Sequence, residues 1–175
     1  MTQMLWLVPL HAAGCLVLAL AGAAKLAHPA ATASAMRAIG LPSQLLVARG
    51  VGLAELVIGI AGAFAGGSWV AWLVAAEWFA LGVTALALLR RPNVPCGCFG
   101  EVSPAPVGPE HVAVDAAFGA LAVVVATTVE GSLAEAVAAG RGGWLLVGTQ
   151  IVLVALLVRA LLSDLPALRA AGAAS

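Results

Sequence analysis

Two cysteines one residue apart, Cys96 and Cys98, stand in the run Val94-Pro95-Cys96-Gly97-Cys98-Phe99-Gly100. Paired thiols exchange two electrons with a partner through a mixed disulfide, so this spacing points to thiol–disulfide chemistry. A disulfide needs Cα atoms about 4.4–6.8 Å apart, which cysteines two apart reach only where the chain bends. Gly97 between them makes that bend easiest. The ring so closed is small and strained, and strained disulfides are the exchange-competent ones. Arg90 and Arg91 lie just upstream, where positive charge favours the attacking thiolate. The same thiols allow two other readings: a metal site shared with His111, or a reduced pair that merely packs.

The other residues able to do chemistry are few, because only 9% of the chain is charged. His111 and Asp115 are four apart, so on a helix they share a face beside the cysteine loop. A histidine held by a carboxylate can take the proton that a thiol releases; the competing reading is a capping and interfacial polar pair. Glu55 and Glu77 fall in the middle of apolar segments, with Lys25 and Arg49 nearer segment ends. A charge in hydrocarbon is costly and normally faces a partner or a cavity. Glu55 is therefore expected either to pair with Lys25 or Arg49 or to handle protons, and Glu77 is weighed the same way. Cys15 lies about ten residues before Lys25, roughly 15 Å along a helix, and reads as a small inert hydrophobe.

The elements that must hold these residues are apolar helices. The chain has 175 residues, 63% of them hydrophobic, with a mean hydropathy of +1.09, whereas soluble domains are about 25% charged. Too little polar surface exists to cover a water-soluble globule, so an integral membrane protein is expected. A net charge of zero leaves no basic stripe for nucleic acid. Five segments approach the roughly 20 residues needed to span a bilayer: Leu5–Ala24, Gln44–Phe64, Trp69–Leu89, His111–Val129 and Trp144–Leu162. Pro42-Ser43 signals the second start, and Gly66-Gly67-Ser68 makes a tight turn into the third. A first loop, His28 to Ser43, holds the helix-compatible stretch Ala33 to Ile39, expected to lie along the interface over the dithiol and to end at Gly40-Leu41-Pro42. The third loop is stiffened by Pro92, Pro95, Pro104, Pro106 and Pro109. Glu130 to Gly143 reads as a glycine-rich linker around a short helix, Leu133–Ala139. The first segment lacks the positively charged start of a signal peptide and is expected to stay as a spanning helix.

Sidedness follows from the basic residues. With five spans, Lys25, Arg37, Arg49, Arg90, Arg91, Arg159 and Arg169 fall on one side or its helix ends, and Arg141 alone on the other. The positive-inside rule assigns the first side to the cytoplasm. Trp6, Trp69, Trp72 and Trp144 mark the opposite helix ends, where an aromatic belt belongs. The N-terminus is thus expected outside and the cysteine loop in the cytoplasm, where thiols are kept mostly reduced.

At the cysteine motif the chain resembles the methylamine utilisation MauE family, bacterial multi-pass membrane proteins related in architecture to the DoxX-like proteins. Cys96-Gly97-Cys98-Phe99-Gly100 follows a third apolar segment. Earlier features stand in the family's order: Ala21-Gly22-Ala23-Ala24-Lys25-Leu26 closing the first helix, Leu41-Pro42 before the second, and Glu55-Leu56 with Gly59 inside it. The likeness runs from about Leu5 to Val129. The chain departs from the family early in the fourth helix, with Val112-Ala113-Val114-Asp115 in place of an Arg-Asn pair. The resemblance implies the bacterial inner membrane and an accessory role beside a thioredoxin-like protein that supplies or removes disulfides.

The expected protein is all-α, a four-helix transmembrane core plus a fifth transmembrane helix. Residues 1–130 would form the MauE/DoxX-like domain with its Cys-Gly-Cys loop at 92–110, and residues 131–175 a linker, the fifth helix and a short tail. Its expected function is that of a membrane thiol–disulfide redox accessory with Cys96 and Cys98 as the redox pair and Arg90, Arg91, Gly97, His111 and Asp115 in support. The alternatives are a non-catalytic scaffold for a redox enzyme and a quinone- or small-molecule-binding membrane protein with its ligand near Glu55 and Glu77.

Overall fold

The computed structural model describes residues 7–65, 67–91, 94, 107–128 and 143–161, all of it helical or connecting turn. Cys96, Gly97, Cys98, the prolines from 92 to 106 and the expected helix Leu133–Ala139 lie outside the described residues. Among the described residues six helices follow in order: α1 (Leu7–Ala27), α2 (Pro29–Ala38), α3 (Leu45–Phe64), α4 (Ser68–Leu89), α5 (Pro109–Thr128) and α6 (Gly143–Arg159). Four of them, α1, α3, α4 and α5, are long and apolar enough to cross a membrane. In hydrocarbon only a helix or a closed barrel satisfies every backbone polar group internally, so the chain is an all-α, multi-pass membrane protein. The fifth expected span is the 17-residue helix α6, at the short end of what a bilayer requires.

Helix ends follow local chemistry. Pro109 takes the first turn of α5, where a missing N–H costs nothing, so that helix starts two residues before the expected His111. Gly67 precedes α4 with φ +91°, a conformation that side chains disfavour. Gly40, with φ +81°, closes α2. There the Leu41 N–H donates to Met36 O at 2.9 Å and the Gly40 N–H to Arg37 O at 3.1 Å, the paired bonds of a Schellman motif. The helix in the first loop thus begins at Pro29, four residues before the expected stretch. α1 runs three residues past its expected end because Lys25 points into the bundle and does not stop the helix.

The bundle is built from two tight helix pairs, α1 with α3 and α4 with α5, and α6 also packs on α1. α1 is the central helix, buried over 72% of its spanning window against 22–28% for the other three spans. Small residues let α1 and α3 approach. A Cβ on Gly22 would lie 2.5 Å from Gly52 O, and one on Gly59 2.5 Å from Cys15 O, so the backbones touch as in small-xxx-small membrane contacts. Across the bundle Trp78 stacks on Phe118 with ring centroids 4.9 Å apart, beside Leu18, Val74 and Ala122 in the main core. α2 caps one end: Ala35 clusters there with Ala85 and Leu88 of α4 and with Val94 and Val107. Those two valines bracket the cysteine loop, so both ends of that loop are pinned under α2.

Candidate functional site

The polar residues of the spans converge near that end. Lys25 lies in the last turn of α1 and Glu55 near the middle of α3, yet the Lys25 ammonium reaches both carboxylate oxygens of Glu55, at 2.6 and 2.5 Å. Two glycines make this possible. Gly22 lets the helices close, and a Cβ on Gly52 would stand 2.9 Å from Lys25 Cβ. Glu55 is fully buried and Lys25 nearly so. Of the two bases considered for Glu55, Lys25 is the partner; Arg49 faces outward.

His111 and Asp115 are both buried in the first half of α5. The Gly108 N–H donates to His111 Nδ1 at 3.2 Å, while the His111 backbone N–H donates to Gly108 O at 3.1 Å. The first bond is the side-chain half of a capping box, with histidine in the place usually held by Glu or Gln, and the second is an ordinary backbone turn bond. Because Nδ1 accepts, that hydrogen bond assigns the ring proton to Nε2. Asp115 makes no hydrogen bond to a described residue, but it lies within electrostatic reach of Lys25 and Glu55.

Between these groups is a cavity of about 150 Å³. Its wall is mainly apolar, with Leu18, Trp78, Leu81 and Leu88 among the lining residues, and Lys25, Glu55, Thr32, Thr84, His111 and Asp115 supply the polar positions. A mostly apolar hollow with a few convergent polar groups is the usual make-up of a small-molecule site. Trp78, Leu81, Ala85 and Leu88 recur at three- and four-residue steps, so one face of α4 forms its wall.

Several expected positions fall elsewhere. Glu77 is half-buried and is not among the cavity residues, although Lys25 acts on it electrostatically; the ligand position foreseen near both Glu55 and Glu77 is therefore moved to Glu55, His111 and Asp115. Arg90 and Arg91 are exposed at the end of α4. Cys96, Gly97 and Cys98 lie outside the described residues. One pair went unforeseen: buried Cys15 has its Sγ 3.4 Å from His11 Nε2, and the four-residue spacing was the available signal. Trp78, Thr32 and Thr84 were missed as well, since nothing local marks a residue that faces a cavity.

Comparison with curated proteins and with solved structures finds no match. A family profile covers residues 1–129, which include the buried Lys25–Glu55 pair, the cysteine motif and the whole cavity. On that match over most of its length, the chain belongs to the family of methylamine utilisation protein MauE.

Proposed function

We propose that this MauE-family membrane protein is a thiol–disulfide redox accessory that passes disulfides or reducing equivalents to a thioredoxin-like partner through Cys96 and Cys98. The observation that carries the reading is the placing of the loop ends. Val94 and Val107 join one apolar cluster under α2, and Val107 is followed within four residues by His111 at the cavity wall. The residues that flank the dithiol segment, Val94 and Val107, therefore sit at the end of the bundle where proton-carrying groups collect. In this role the thiolate attacks a partner disulfide, and the second cysteine resolves the mixed disulfide. Asp115 accepts and returns the thiol protons, His111 holds the start of α5 beside the loop through its bond to the Gly108 N–H, and Arg90 and Arg91 favour the thiolate. The chain sits in the bacterial inner membrane, its N-terminus outside and the cysteine loop in the cytoplasm, following the split of basic residues.

Alkylation and mass spectrometry in graded redox buffers test this directly. Cys96 and Cys98 are expected to lose two hydrogens together, and serine at either position is expected to abolish partner oxidation or reduction while the fold survives. Thiols that never pair, together with serine variants of full function, would leave the scaffold reading in its place.

A further inference from the structure

We infer that the cavity at the α2-capped end of the bundle binds the single-ring head group of a membrane quinone or quinol. The inference rests on the thiol–disulfide reading and supplies its two-electron partner.

The size of the cavity selects the ligand first. About 150 Å³ matches an engineered protein cavity that admits one benzene ring, and is too small for a fused three-ring system or a macrocycle. Its setting selects further. The hollow lies among spanning helices, with Leu18, Leu81 and Leu88 on its wall, so an apolar ligand reaches it through lipid. A phosphate-bearing cofactor would meet the Asp115 carboxyl and an ammonium already engaged by Glu55. Trp78, only 4% exposed, offers an aromatic surface for a flat ring.

The polar groups match both redox states of such a ring. Lys25 gives two of its three N–H donors to Glu55, which leaves one for a ring carbonyl oxygen. Asp115 is 8% exposed, borders the cavity and hydrogen-bonds no described residue; it is the acceptor for a quinol hydroxyl. The reaction balances without another reagent. Closing one disulfide from two thiols releases two electrons and two protons, and a quinone takes up both electrons and one proton on each oxygen to become quinol. The reverse direction consumes quinol and yields the dithiol.

The test uses the full chain carrying Cys96→Ser and Cys98→Ser in lipid nanodiscs, titrated with a short-chain benzoquinone while tryptophan fluorescence is followed. Saturable quenching is expected, and it should be lost in Trp78→Phe, which removes the indole at the cavity wall. Ala85→Phe should abolish binding by filling the hollow, and Ala21→Val provides a second plug from α1 if the first variant does not fold. Asp115→Ala should weaken binding of the reduced ring about tenfold or more, because it removes the acceptor of one hydrogen bond. Quenching that rises linearly with quinone in the bilayer, or saturable binding untouched by the plugs, would overturn the site. Saturable binding here, with no thiol cycling in the native chain, would keep the site and overturn the carrier role. Cycling in the native chain with only linear quenching would overturn the site alone.

Discussion

Lys25 and Glu55 are the pair on which the spanning region turns. A lone ammonium or carboxylate among apolar helices is costly, and mutual attraction offsets that cost only with good geometry. Here the geometry is good, since one ammonium meets both oxygens of a fully buried carboxylate. Glu55→Ala strands Lys25 and is expected to lower stability by about 3–5 kcal/mol, read as a lower melting temperature in detergent and less folded protein in membranes. The double variant Lys25→Met with Glu55→Leu removes both charges and should recover much of that loss. Equal melting of Glu55→Ala and the native chain would mean that the pair does not stabilise the fold. His111 is a second case of one residue with two duties, since the nitrogen that caps α5 commits its ring to one tautomer. The ring then presents an N–H, not a lone pair, at Nε2.

At the scale of elements, the α1–α3 contact sets where the charged pair meets. The two helices touch through Gly22, Gly52 and Gly59, and a methyl at Gly59 would fall 2.5 Å from Cys15 O and 2.6 Å from Ala19 N. Backbone cannot yield as a flexible side chain does, so Gly59→Ala must push the helices apart, at about 1–3 kcal/mol as for other overpacked sites. Gly50 lies on the same helix with nothing within 4 Å of an added Cβ. Gly50→Ala should be neutral or stabilising by about 0.5–1 kcal/mol, because alanine gives up less backbone freedom in a helix. Melting the two variants side by side separates close packing from helix propensity: equal shifts would show that α1 and α3 are not held in tight contact. α2 matters for a different reason. It is short and lies over the ends of the cysteine loop, so a change there acts on the loop and the cavity together.

For the whole molecule the prediction concerns which way it faces. On a five-span topology, seven basic residues fall on one side against one on the other, which predicts that Cys96 and Cys98 react with a membrane-impermeant maleimide in inverted vesicles and not in intact cells. Cys15 does not confuse the assay, because it has no exposed surface inside the bundle and should be labelled only after unfolding. Efficient labelling of the loop in intact cells would reverse the orientation and place the thiol partner on the outer side. The exposed Trp69, Trp72 and Trp144 stand at the N-terminal ends of α4 and α6, where an interfacial belt would hold that orientation.

The sequence by itself determined the membrane class and the placing of four spans to within three residues, because span length and apolarity are properties of a continuous segment. It also marked Glu55 as a residue in need of a partner, since the cost of a charge in hydrocarbon is local. It did not choose between Lys25 and Arg49. That choice depends on how α1 is rotated against α3, and helices apolar on nearly every face carry little patterning to set their rotation. The glycines settled it by where they allowed the backbones to touch. The shared face of His111 and Asp115 was readable from a four-residue spacing, whereas the use of His111 as a cap required the turn at Gly108 to be built. The cavity was the least readable feature of all. It is a gap between α1, α2, α3, α4 and α5, and a gap belongs to no segment of the chain: it exists only where several helices fail to fill the space between them.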